Sequence, residues 1–187
     1  MSAHEENVLK PWRVLESEEG FRTPWFCIQK YSCETPMGVV PYYVHEGPDS
    51  VLCACVTDDG FVVVERQYRF PMRRVSMDYP GGYIKSEDSN AQDAALRELR
   101  EETGFVAHTA THLFTLSKDP AFSSGKVHVF LATDVSRRGT SRDPTETLVV
   151  EELRPNVILE AVARGEMSCA FCVATTLMLA QRLKWST

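Results

Sequence analysis

The chain has 187 residues, 43% hydrophobic and 25% charged. That suffices for one packed domain, or a domain with a small appendage, and argues against disorder. A net charge of −6 excludes nucleic-acid binding through a broad basic surface. No apolar run approaches the ~18 residues of a membrane helix, and the first residues are charged without a signal-peptide core. The expectation is a cytoplasmic protein with no membrane partner.

In chain order, residues 1–20 are polar, apart from Pro11-Trp12-Arg13-Val14-Leu15, which reads as an addition to a sheet. Apolar runs at 25–33 and 39–46 flank the turn signal Pro36-Met37-Gly38 and predict a hairpin. Gly47-Pro48-Asp49 reads as a linker, which divides a small N-terminal β-sheet region, 1–48, from a main domain, 49–187. Runs at 51–56 and 61–68, joined by Thr57-Asp58-Asp59-Gly60, predict a second hairpin buried on both faces. A short extended segment at 75–79 leads to Pro80-Gly81-Gly82, where the missing Cβ atoms let the backbone come close to another group.

Residues 89–104 read as a helix. Ser89 with Gln92 forms a capping box, Ala91, Ala94, Ala95, Leu96 and Leu99 favour the helix, and Gly104 closes it. On it Glu98, Glu101 and Glu102 stand at i, i+3 and i+4 and share one face. Like charges at that spacing repel, and acids near a helix C-terminus oppose its dipole. Two readings follow: a solvated acidic face with intrahelical ion pairs to Arg97 and Arg100, or a set of oxygen ligands for Mg²⁺ shared with substrate phosphates.

Further strands are predicted at 106–116, 126–135 and 146–153, and helices at 157–164 and 168–184. The order implies an α/β (α+β) fold, a mixed β-sheet sandwiched between helices with a small N-terminal antiparallel sheet. The six cysteines, Cys27, Cys33, Cys53, Cys55, Cys169 and Cys172, lack the His partners and loops of a zinc site. They read as buried free thiols in a reducing compartment.

Arg97-Glu98-Leu99-Arg100-Glu101-Glu102-Thr103-Gly104-Phe105 resembles the second half of the Nudix box, and every specified position is filled. The first half departs. Gly81 and Glu87 keep the Gly-to-Glu spacing, but Gly82 lies one residue too far from Arg97. Val64-Glu65-Arg66-Gln67-Tyr68-Arg69, Tyr79-Pro80-Gly81-Gly82, Asp119-Pro120-Ala121-Phe122-Ser123 and His128-Val129-Phe130-Leu131-Ala132 resemble the ADP-ribose pyrophosphatase branch of that family.

The resemblance implies the Nudix fold and a Mg²⁺-dependent pyrophosphatase, with Mn²⁺ as a possible substitute. The implied reaction is hydrolysis of a small-molecule nucleoside diphosphate derivative, first ADP-ribose to AMP and ribose 5-phosphate. Alternatives are GDP-mannose, NADH or another dinucleotide, or nucleotide binding without hydrolysis. By the same resemblance Glu98, Glu101, Glu102 and the carbonyl of Gly81 hold metal, and Arg97 steadies the acids. Glu146 is a general base or extra ligand, or simply a polar strand start after Asp143-Pro144-Thr145. Arg69 contacts the diphosphate or is a surface residue, and Trp25 stacks on adenine or packs in a core or interface. Gly82 and Glu87 belong to the substrate-binding loop. In that branch the N-terminal sheet builds a homodimer.

Overall fold

The structure, a computed structural model, describes residues 10–139 and 147–185. It divides into two compact units. The first runs to Pro48 and takes in Ser117–Lys126, and the second holds the rest, beginning at Asp49.

The first unit is a three-stranded antiparallel sheet of β1 (Arg13–Arg22), β2 (Cys27–Thr35) and β3 (Gly38–Glu46), in that order. Gly38 turns the β2–β3 hairpin at φ 114°, a conformation that favours glycine. Strand β1 is far longer than the apolar run at 11–15 suggested. Its Glu-rich second half contains no apolar alternation, and irregularities between Val14 and Glu16 and between Glu19 and Phe21 break the period. Cross-strand charge pairs, Arg13 with Glu34 at 2.8 Å and Glu18 with Lys30 at 2.5 Å, stabilise it instead. The segment from Ser117 to Lys126 packs on β3: Tyr42 donates to the carbonyl of Ala121 at 2.6 Å, and His45 N–H to that of Phe122 at 2.7 Å.

The second unit is built on a mixed sheet. Its strands include β4 (Ser50–Val56), β5 (Val62–Arg69), β6 (Arg74–Asp78) and β7 (Gly81–Tyr83). After β8 (Phe105–Val106) come β9 (Thr111–Ser117), β10 (Lys126–Ala132), β11 (Ser136–Arg137) and β12 (Leu148–Leu153). The path runs β12-β5-β4-β10-β9, with β6 paired to β5 and β7 to β4. Strand β10 lies parallel to β4, whereas β5 and β7 are antiparallel to it. Strands β8 and β11 form a separate pair.

Helix α1 (Ala91–Glu98) runs into a π-helical turn, Leu99–Thr103, and ends at Gly104 in the left-handed conformation, φ 77°. The cap is Asn90, one residue later than the capping box predicted, and its side chain accepts from the Asp93 N–H at 3.0 Å. Helices α2 (Pro155–Ala163) and α3 (Ala170–Leu183) follow. No helix of the described residues is long and apolar enough to cross a membrane.

The period-2 pattern of β4 explains the layers. Val51, Cys53 and Cys55 point to one face and pack with Ala94, Ala95 and Leu99 of the central helix. Ala54, joined by Val62 and Val64 of β5, points to the other and packs with Ile158 and Ala161 of α2 and Leu179 of α3. Both faces are covered, so β4 and β5 read as continuous apolar runs. On the second face the buried Tyr79 hydroxyl meets Thr176 Oγ1 at 2.9 Å, tying the end of β6 to α3.

Candidate metal and diphosphate site

The acidic face of α1 lies against β7. Strand β7 pairs with β4 so closely that a Cβ on Gly81 would come within 3.1 Å of the Leu52 Cα and would collide with the carbonyl of Val51. A Cβ on Gly82 would lie 2.8 Å from Glu98 Cδ and would collide with that carboxylate. The two glycines are therefore required by close approach, one toward the sheet and one toward the acids. The Gly81 N–H donates to Glu102 Oε2 at 2.8 Å, which joins strand to helix across the site.

Arg97 organises the acids. Its Nε and Nη2 bind the two oxygens of Asp88, both at 2.8 Å, in a planar fork. Its Nη1 donates to Glu98 Oε1 at 2.8 Å and to Glu101 Oε2 at 3.1 Å, and Nη2 also reaches the Tyr83 carbonyl at 3.1 Å. The Arg97 side chain is only 13% exposed, so these bonds are made away from bulk water. Asp88 also accepts from the Lys85 N–H at 2.8 Å, and Lys85 Nζ stands 3.8 Å from Glu101. The guanidinium fork holds the Asp88 carboxyl below the usual carboxylate range. Burial pushes Glu98 upward, against the pull of Arg97.

These contacts place the sequence-derived candidates. Gly81, Gly82, Arg97, Glu98, Glu101 and Glu102 come together. Glu87 does not join them: it is exposed and accepts from the Ser86 hydroxyl at 3.2 Å, and the acid on Arg97 is its neighbour Asp88. The spacing Gly82, five residues, Asp88 could have found it, with the extra residue lying between Asp88 and Arg97. Arg69 Nε and Nη2 bind Asp78 Oδ2 at 2.8 and 2.7 Å. Arg69, Asp78 and Gly81 line one cavity of about 250 Å³. Trp25 belongs to the first unit and is 66% exposed. Glu146 lies outside the described residues.

Glu98, Glu101 and Glu102 each use one named oxygen in these bonds, to a guanidinium or a backbone N–H. Carboxylates tied back in this way are the ligand type a hard divalent cation takes, and the partners that tie them orient such ligands. Their oxygens are of the type that suits a hard divalent cation. Among the described residues, the ligand-type atoms lying within 4.8 Å of one another are those of Asp78, Cys169 and Cys172, not of the three glutamates. Glu98 and Glu101 share the Arg97 cation, and Glu102 is tied instead to the Gly81 N–H.

Asp88→Asn is expected to lower stability by about 2 kcal/mol at neutral pH, because it removes the charged half of a shielded fork. A depressed carboxyl stabilises the fold above its unfolded value of about 3.9 and loses that contribution as pH falls through its folded value. Urea unfolding of both proteins across pH should therefore show the difference shrinking below about pH 4. A gap that stays constant down to about pH 2 would assign the loss to packing instead of charge.

Residues 47–168 match the sequence model of the NUDIX domain. Over 104 residues the chain is 35% identical to an ADP-ribose pyrophosphatase of Bacillus subtilis (strain 168), a stretch covering 56% of each protein. Over 138 residues it is 28% identical to the ADP compounds hydrolase NudE of Escherichia coli (strain K12), covering 72% of this chain and 73% of that one. The chain spans about half the length of the first curated relatives it matches. A crystal structure of an ADP compounds hydrolase shares the fold, with a TM-score of 0.81 over 94% of this chain and 96% of that one at 23% identity. The box in which Arg97 gathers its acids falls inside a family match that covers more than half of the sequence, and the chain belongs to the Nudix family.

Proposed function

We propose that this protein hydrolyses the diphosphate of a nucleoside diphosphate derivative with Mg²⁺, and that ADP-ribose, cleaved to AMP and ribose 5-phosphate, is its first candidate substrate. The observation that carries the reading is the Arg97-centred set of glutamates packed against the Gly81-Gly82 strand. The relatives named for ADP-ribose and ADP compounds support the choice of substrate.

Glu98, Glu101 and Glu102 would hold the ion, with the Gly81 backbone beside them. When bound, Mg²⁺ neutralises diphosphate oxygens and lowers the pKa of water. Arg97 does not touch the substrate. It fixes the directions of Glu98 and Glu101, so little reorganisation is needed when the substrate arrives. Arg69, steered by Asp78, presents its guanidinium to the diphosphate from the cavity that Gly81 also lines. The exposed indole of Trp25 offers a stacking surface for the base. In the reaction an O–P bond forms from water, the bridging P–O bond breaks, and the water protons pass to solvent.

The protein acts as a homodimer built through its N-terminal sheet. All ten residues of β1 are exposed, among them Val14, Leu15 and Phe21, and Trp12 and Trp25 are exposed beside it. An open edge strand with so many large apolar side chains favours a partner of the same kind. The six free thiols support a reducing, cytoplasmic location.

Incubation of the purified chain with ADP-ribose and Mg²⁺ should release AMP and ribose 5-phosphate. A panel including GDP-mannose, NADH and other ADP compounds should rank ADP-ribose first by kcat/KM, and no turnover of any member would reject the enzyme reading. Glu102→Gln keeps an oxygen for the Gly81 N–H but loses the charge, so activity should fall about 10³-fold or more with folding intact. Wild-type activity in that variant would remove Glu102 from the mechanism. Sedimentation equilibrium should give twice the chain mass, and Val14→Asp should shift it toward the monomer. A monomeric wild type at micromolar concentration would refute the dimer.

A further inference from the structure

The cavity lined by Arg69 and Gly81 also carries a pair of sulfurs to which the proposed hydrolysis assigns no role. Cys169 is the N-cap of α3 and Cys172 sits one turn inside it, so the sulfurs share a face. Their ligand atoms lie within 4.8 Å of one another and of the Asp78 carboxylate. Cys169 is partly exposed and lines the cavity of about 250 Å³, whereas Cys172 is 1% exposed. The Cys172 thiol and the backbone N–H groups at the start of α3 favour the accessible sulfur as a thiolate, against burial and the charge of Asp78. These donors draw its pKa down to about 6, and the same contact together with burial pushes Cys172 upward. Cys53 and Cys55 differ. Both are buried under α1, where loss of water pushes their thiols up, Cys55 to about 12.

We propose that Cys169 and Cys172 are a redox-active dithiol that exchanges with small-molecule disulfides, Cys169 being the attacking sulfur and Cys172 the resolving one. The Cys169 thiolate attacks one sulfur of the external disulfide, that S–S bond breaks, and one thiolate leaves. The Cys172 thiol gives up its proton, and its sulfur attacks Cys169 Sγ and expels the second thiolate. Two electrons pass from the protein to the external disulfide, and two protons end on the two thiols released. Cys169 precedes the first helical residue at φ −71° and ψ 120°, so its side chain turns toward Cys172 without disturbing α3.

The same three residues could suggest a thiolate metal site, but the carboxylate is already committed. Asp78 Oδ2 accepts from Arg69 Nε and Nη2 at 2.8 and 2.7 Å, and Oδ1 from the Ser76 hydroxyl at 3.1 Å. A zinc ion would have to break those bonds and would still have only two thiolates. The dithiol uses Asp78 as it stands, a buried wall beside the pair.

The test uses the intact chain, equilibrated in glutathione buffers of rising oxidised fraction, quenched with acid, alkylated and mapped by mass spectrometry. One transition should join Cys169 to Cys172 with loss of two hydrogens, while Cys27, Cys33, Cys53 and Cys55 stay reduced. Cys172→Ser should accumulate a mixed disulfide with glutathione on Cys169, and Cys169→Ser should form neither product. In the wild type, alkylation of Cys169 should persist below the pH at which ordinary thiols stop reacting. The proposal is overturned if the pair stays reduced across the series, if the two serine variants react alike, or if zinc is retained at one ion per chain and blocks oxidation. None of these readouts depends on hydrolysis of any nucleotide.

Discussion

A guanidinium shared among three acids holds the acidic corner of this protein together. Arg97 takes both oxygens of Asp88 and one each from Glu98 and Glu101. Without that cation, carboxylates one helical turn apart would repel, and the end of α1 would oppose its own dipole. The fork is nearly shielded from water, so its bonds are stronger than surface ion pairs and its loss would leave charges uncompensated. Arg97 also reaches the backbone at Tyr83, which sets the distance between the loop after β7 and the helix. Glu102 completes the join by accepting from Gly81. Acids, loop and strand therefore behave as one piece.

That piece is anchored by the core beneath it. Leu99, in the π-helical turn between Glu98 and Glu101, is completely buried with Ala94 and Ala95 against Cys53 and Cys55. The same run of sequence thus serves two purposes on opposite sides: small and apolar residues toward the sheet, acids toward β7. The π-helical turn changes the angular offset of Glu101 and Glu102 from that of a regular helix, and such turns are frequent at functional sites.

The opposite face of the sheet has a different chemistry. There Asp78 is buried at 3% exposure with Arg69 as its counter-charge, and α3 brings a dithiol to the same cavity. The partition is a matter of alternation. Neighbouring residues of β4 serve opposite layers, one packed on α1 and the other on α2 and α3, and Gly81, tied to Glu102, also lines the cavity of the dithiol.

Much of this was legible in the residues alone. The apolar runs of β4 and β5, the Gly104 stop and the Arg-Glu pattern depend on local propensity and spacing, and the structure keeps them. Three features were not legible, because each depends on which distant residues meet. Strand β1 is held by its backbone ladder to β2, with exposed charge pairs across it, so its own sequence shows no strand period. The acid on Arg97 is Asp88 instead of Glu87, because the turn that places it is closed by Lys85 and by the helix cap at Asn90. The Cys-x-x-Cys pair looked like part of a buried helix, and only the meeting of the α3 N-terminus with Asp78 and an open cavity exposes Cys169 to chemistry. Sequence by itself determined the helix with its acidic face and the sheet it packs on, since those follow from side-chain periodicity. Tertiary structure alone decided which acid meets which cation and which thiol meets solvent, since those follow from contacts between residues far apart in the chain.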